Sequence, residues 1–354
     1  MAYTDIDKPT DYFNTVLYTG NGSSQTLTMD NVGLLWMKRR DSSIRHCLFD
    51  SVRGGHYTGS GDPPLLVSDS SAASQGTDID SAAKGITFGT TQTVIGNDAS
   101  GYSYNTSGHS MVGWQWSAGG SASSNTDGSI TSTVSANTTA GFSIVSYTGT
   151  GSSPATIGHG LGATPNMVII KDRDSSKAWV CYHSALGSTK GIFLEQTAGA
   201  NTSSTYFNNT APTSSVFTIA NSSHVNTSSD KYIAYCFSEK KGFSRFGSYV
   251  GNGSNDGSYI HLGFKPAFVL QKSTAVQGWQ LQDNKRLGYN GANKLLQPHD
   301  SASESDVNRI DILSNGFKVR TTDAGQNTSG QTYIYMAFAE SPFTTSTGIP
   351  TVAR

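Results

Sequence analysis

The side chains of this 354-residue sequence that could do chemistry are scattered rather than clustered. His159 and His261 each stand 12 positions after a tyrosine, Tyr147 and Tyr249, so a ligand contact copied twice would fall there. A histidine beside Gly160 or Gly263 also serves by bonding its own loop, and a metal site would need two or three ligands within one module, for which His159 has no near-sequence partner. Asp172 and Asp174 flank Arg173 on an expected turn, a pattern that suits either a solvated loop or calcium. These four residues are the weak ligand-contact candidates. Glu239 and Glu340 both follow closing strands, and glycoside hydrolysis needs two carboxyls about 5–9.5 Å apart. They belong to different repeats, and Ala118 holds the place in the first, so a capped strand end or an ion pair is the better expectation. No catalytic residue, cofactor site or metal set is expected.

Other chemical signatures are missing from the sequence. No G-x-S-x-G places a serine between strand and helix. Cys47, Cys181 and Cys236 form no C-x-x-C pair and read as buried free thiols of a chain made in a reducing cytoplasm. The Asn-x-Ser/Thr triplets at Asn21, Asn105, Asn137 and Asn252 are what chance yields in so polar a composition.

The elements that must carry these residues are repeated. An opening phrase recurs at Tyr18-Thr-Gly-Asn-Gly, Tyr147-Thr-Gly-Thr-Gly and Tyr249-Val-Gly-Asn-Gly. Its glycines suit a strand entering a turn, and it lacks the third glycine and helix of a dinucleotide fingerprint. An apolar run ending in lysine follows, at Leu34 to Lys38, Met167 to Lys171 and Phe268 to Lys272. A phenylalanine heading a strand comes next, in Gly85-Ile-Thr-Phe88, Ser214-Ser-Val-Phe217 and Ser314-Asn-Gly-Phe317. The closing phrases carry aromatics: Gly113-Trp-Gln-Trp116, Ile233-Ala-Tyr-Cys-Phe237 and Ile334-Tyr-Met-Ala-Phe338. Tyr147 and Phe237 are 90 positions apart and Tyr249 and Phe338 are 89 apart, so repeats two and three run in step while the first diverges. Trp179 and Trp279 sit at the same offset from Lys171 and Lys272 to within a residue, and each reads as the core keystone of its sandwich rather than a sugar platform.

Hydrophobic content of 35% and charge of 14%, with 39 glycines, describe many short strands and tight turns. The expected fold class is all-β: tandem, jelly-roll-like β-sandwich modules in three repeats, with few short helices. The best helical candidate is the stretch 300–308. Residues 1–116 form module 1, 117–141 a Ser/Gly/Thr/Asn-rich linker with little packing of its own, 142–240 module 2, and 241–340 module 3. Residues 341–354 form an extended tail that drapes over a neighbour. Modules 2 and 3, with a short connection, are expected to be held close. A net charge of −1 gives no field to recruit nucleic acid, and Lys38-Arg39-Arg40 reads as a solvated strand end. No apolar stretch is long enough for membrane insertion, and no secretory signal opens the chain.

Several stretches resemble repeated modules of structural proteins from tailed bacteriophages, especially those of marine bacteria. They are Asp7-Lys-Pro-Thr-Asp-Tyr-Phe-Asn-Thr-Val-Leu-Tyr-Thr-Gly-Asn-Gly, Ser124-Asn-Thr-Asp-Gly-Ser-Ile, Tyr232-Ile-Ala-Tyr-Cys-Phe-Ser-Glu-Lys and Phe338-Ala-Glu-Ser-Pro-Phe. The resemblance implies a β-rich, non-enzymatic virion component, tail-fibre-like or displayed at the surface, in contact with other virion proteins and with a host glycan. It carries no functional residues with it. The chain departs from a long fibre in lacking a coiled-coil or β-helical shaft. A homo-oligomer, a trimer by preference, is expected to follow. The competing expectations are a head-decorating protein, and a lectin or polysaccharide depolymerase using acids such as Asp283, Glu239 and Glu340.

Overall fold

A computed structural model describes residues 3–29, 32–59, 63–90, 92–98, 101–286, 290 and 293–351. The first unit holds β1 (Phe13–Thr19), β2 (Gln25–Leu27), β3 (Gly33–Arg39) and β4 (Cys47–Asp50). It continues with β5 (Leu66–Val67), β6 (Ile86–Phe88), β7 (Thr93–Ile95) and β8 (Ser110–Ser117). A hairpin of β9 (Ser123–Asn125) and β10 (Ser132–Asn137) leads into the second unit. That unit holds β11 (Phe142–Thr148), β12 (Ala155–Gly158), β13 (Met167–Asp172), β14 (Val180–His183) and β15 (Lys190–Phe193). It ends with β16 (Asn201–Thr202), the short helix α1 (Ser204–Phe207), β17 (Val216–Ile219) and β18 (Lys231–Phe237). The third unit holds β19 (Ser244–Val250), β20 (Tyr259–His261), β21 (Phe264–Ser273), β22 (Trp279–Asp283) and β23 (Asn293–Leu295). It closes with β24 (Ser305–Val307), β25 (Ile310–Leu313), β26 (Gly316–Val319) and β27 (Thr332–Pro342).

The chain is all-β, and its three main sheets share one strand order. They run β1-β8-β3-β4-β5, β11-β18-β13-β14-β15 and β19-β27-β21-β22, antiparallel throughout. In each, opening and closing strands pair in matching register, Phe13 with Trp116, Phe142 with Phe237 and Ser244 with Phe338. A small sheet covers the outer face of each large one: β2-β7-β6, β12-β17 and β20-β26-β25. In the first unit β7, not the Ile86–Phe88 strand matched from sequence, pairs with β2.

Alternation sorts side chains between two cores. Leu35 and Met37 face the small sheet of unit one, and Val168 and Ile170 that of unit two. Leu34, Trp36, Met167, Ile169, Phe268 and Leu270 point the other way, into one core shared by all three units. At its centre the three register-matched closing residues touch pairwise. Ring centroids are 6.2 Å apart for Trp116 and Phe237, 5.7 Å for Trp116 and Phe338, and 6.0 Å for Phe237 and Phe338. A pseudo-threefold axis therefore passes between them.

Three expectations are corrected. The segment 117–141 is no loose linker: β10 pairs with β11 over its whole length and β9 with β10, extending the second sheet to eight strands. Because one face of an edge hairpin meets solvent, Ile130 and Val134 suffice to seat it, which is why its composition looked unpacked. The first unit consequently packs as closely as the other two. The stretch 300–308 holds β24 at Ser305–Val307 and no helix, and the one α-helix among the described residues is α1, whose Ser203 cap accepts from the Thr205 amide. The expected tail begins as the end of β27 and folds back on its own chain, with Asp7 accepting from the Ser346 amide at 2.6 Å. Its last three residues lie outside the described ones.

Candidate functional site

The sequence candidates do not converge. His159 is buried, its Nδ1 accepting from the Leu161 amide at 3.2 Å and its Nε2 meeting the Thr213 carbonyl at 3.2 Å. Burial holds its pKa below the usual histidine value. His261 is exposed and lies 3.4 Å from the Tyr259 hydroxyl. The Asp172 Oδ1 accepts from the Asp174 and Ser175 amides, while Asp174 Oδ2 accepts from the Lys231 amide at 2.8 Å, so these carboxylates shape a turn. Glu340 pairs with Lys265 at 2.7 Å, and Glu239 lies 3.8 Å from Arg245. Among the described residues no three His, Cys, Asp or Glu side chains gather as a metal site.

What the fold does bring together is a ring of junctions between units. Trp179 of unit two donates from Nε1 to the Val67 carbonyl of unit one at 3.0 Å, and Trp279 of unit three to the Phe193 carbonyl of unit two at 2.8 Å. Both indoles are buried as expected, yet they are keystones between sandwiches rather than within one. Each backbone amide is capped by a side chain of the tryptophan's own unit, Glu195 for Trp179 and His299 for Trp279, and Glu195 stands two residues past Phe193, the carbonyl that accepts from Trp279. His46 takes the tryptophan's place in unit one: its amide is capped by Asp69, its Nδ1 accepts from Trp36, and its ring faces Gln297 of unit three. Burial holds its pKa well below the usual value.

Two of the repeated lysines close the same junctions. Lys171 Nζ donates to the Ser71 carbonyl of unit one at 3.1 Å, and Lys272 Nζ to the Thr197 carbonyl of unit two at 3.1 Å. Lys38 Nζ instead donates within its own unit, to the Ser42 carbonyl at 3.1 Å. All three are buried, so Lys38 is not the solvated strand end expected, and Arg40 beside it forms a fork with Glu304 of unit three. Loss of water around each ammonium brings its pKa down to about 8.

On the other side of each junction lies a third set. Asp50 accepts from the Tyr235 hydroxyl at 2.8 Å and from Arg53 Nε, while Asp283 accepts from Trp114 Nε1 at 3.0 Å and from Arg286 Nε. Both Asp–Arg pairs are fully buried. His183 stands in for aspartate in unit two and reaches the Tyr335 carbonyl at 3.0 Å. Burial brings its pKa down to about 4. The circuit runs one to two, two to three and three to one. Buried polar contacts of this kind are satisfied in a single arrangement, so they fix register as well as hold it.

Sequence reasoning missed two signals. Asn105, Asn226 and Asn327 each precede the axial aromatic by 11 positions. Each donates two side-chain bonds to carbonyls and accepts from the opening glycine turn, as Asn226 does to Ser152 and Ala220 and from Thr150. The spacing Asp-x-x-Arg, at Asp50 and at Asp283, was the other.

A shallow groove of about 220 Å³ lies beside the extra hairpin. Ser121, Ser123, Ser124 and Asn125 rim it, Val134 and Ala136 form its floor, and Gly160 flanks it. Gly160 has φ +68°, and a β-carbon there would press on Val134 and Ala136, so the glycine keeps the groove open. No charged side chain lines it.

Fold and junctions together define an all-β scaffold of sandwich units closed around one axis. Residues 8–342 match the family described as Domain of unknown function (DUF7483), and the chain belongs to it. No curated protein and no solved structure matches the chain.

Proposed function

We propose that this is a non-enzymatic structural component of a tailed-bacteriophage particle, tail-fibre-like or surface-displayed, that serves assembly and presents loops to a host receptor. The observation that carries the reading is the closure of three matched sheets on Trp116, Phe237 and Phe338. Such a body is rigid, which suits a particle component that must hold its loops in fixed places. The resemblance of the opening and closing phrases to phage structural modules supports the particle context. The small uncharged groove supports a receptor role: hydroxyl and amide rims suit a neutral sugar, and its volume falls below the about 300 Å³ at which drug-sized sites begin, so one ring fits.

Gold-labelled antibody against the protein, applied to purified particles, tests the proposal. Decoration of tail or head is expected, and its position separates a fibre from a head-decorating protein. Absence of the protein from washed particles overturns the reading, as does release of reducing sugar from host polysaccharide by the pure chain.

A further inference from the structure

Beyond the exchanges at His46 and His183, the pseudo-threefold symmetry is broken at the outer edge of the opening strand, which is covered in unit two and, among the described residues, has no strand outside it in units one and three. In unit two that edge, β11, is sealed by β10, and the same segment seals the small sheet through an Ile130–Ile157 bridge. Register matches Ser143, Val145 and Ser146 of β11 to Arg245, Gly247 and Ser248 of β19. Ser143 and Val145 are fully buried beneath β10, whereas Arg245 and Ser248 are exposed and Gly247 is half-buried. Among the described residues no strand lies on the outer side of β19. Two of its backbone groups are capped by side chains instead, the Phe246 amide by Glu239 Oε2 at 3.3 Å and the Val250 carbonyl by Ser258 Oγ at 2.8 Å.

Two exposed apolar side chains flank this edge, Val250 at 56% and Tyr259 at 46%. Natural edge strands are guarded by charge, proline, bulges or brevity. β19 is seven residues long, contains no proline and pairs with β27 without a bulge, and its one charge, Arg245, sits near the start.

We infer that β19 is a docking edge that receives an antiparallel strand from a partner polypeptide, in the way β10 already covers β11. The partner segment is extended, uncharged and rich in hydroxyl and small apolar side chains, as in Ser132-Thr-Val-Ser-Ala-Asn137. Its backbone extends the third sheet, and an apolar side chain covers Val250 and Tyr259. The internal copy shows what such an edge accepts, and the uncharged stretch 246–250 excludes a strongly charged occupant.

A fluorescent peptide spanning residues 129–139 is the probe, titrated against the full chain and followed by anisotropy. Saturable binding is expected, weakened about tenfold by Ser248→Pro, which removes an edge amide without disturbing the side-chain pattern. Val250→Lys, at a solvent-exposed position, is the second variant and should weaken binding in the same direction should the proline variant fail to fold. No saturable binding below millimolar peptide overturns the inference, and so does equal binding by folded Ser248→Pro. Concentration-dependent self-association abolished by these changes would make the occupant a second copy of this chain and overturn the assignment to a foreign strand.

Discussion

Replacing Phe237 by alanine should loosen all three units at once. Phe237 is 1% exposed and its ring meets Trp116 of unit one, Phe142 of its own unit, and Phe246 and Phe338 of unit three, at 4.8–6.2 Å. Removing a buried phenylalanine costs about 3–5 kcal/mol, because the cavity adds to the lost transfer energy. Aromatic pairing adds about 0.5–1.5 kcal/mol per pair, so the upper part of that range applies here. Against total stabilities of about 5–15 kcal/mol the loss is large. Urea unfolding measures its size, and hydrogen exchange read by mass spectrometry measures its reach. Exchange should quicken in β8 and β27 as well as in β18. Faster exchange confined to unit two, or a loss below about 1 kcal/mol, would refute the shared core.

Asn226→Ala should cost about 1–3 kcal/mol, since it leaves the buried Ala220 carbonyl and the partly buried Ser152 carbonyl and Thr150 amide of the opening turn without this partner; the midpoint of thermal unfolding reports it, and an unchanged midpoint counts against the peg. Between about pH 8 and 10 each buried lysine should add stability as pH rises, since the unfolded chain holds a proton there that the folded one has lost: Lys38, Lys171 and Lys272 titrate near 8 when folded. The gain is at most about 1.4 kcal/mol per pH unit for each lysine. The buried thiols of Cys47, Cys181 and Cys236 work in the opposite direction above about pH 8.5, because burial raises their folded pKa and only the unfolded thiols ionise. Above about pH 10 unfolded tyrosines add to that loss, since burial raises the folded pKa of Tyr18, Tyr147 and Tyr249. Urea midpoints at pH 7.5 and 9.5 for the wild type and for Lys171→Met isolate the lysine: the wild type should gain relative to the variant, and an equal change in both would contradict it.

Much of the fold was legible because strand registers repeat locally. Tyr147 stacks on Tyr232 and Tyr249 on Tyr333, as opening and closing phrases in step would place them. What stayed hidden depends on contacts between units, which leave no local period. Nothing around Trp179 tells whether its indole meets its own sandwich or the Val67 carbonyl more than a hundred positions earlier. Lys38 looked solvated because charge at a strand end usually is, yet a neighbouring loop buries it. The β9–β10 hairpin was masked by its serines, which an edge strand tolerates. Of the asparagine pegs, Asn105 looked like a chance sequon because its role appears only when the turn it binds is drawn beside it.

Small-angle X-ray scattering tests the central claim most directly. Three units closed around one axis behave as a single compact body, for which 354 residues give a radius of gyration of about 20 Å. Three separate domains of about 13 Å each, strung in line, would give about 28 Å or more. A value near 20 Å with a bell-shaped Kratky profile is what the shared core predicts, and a value near 28 Å would contradict it.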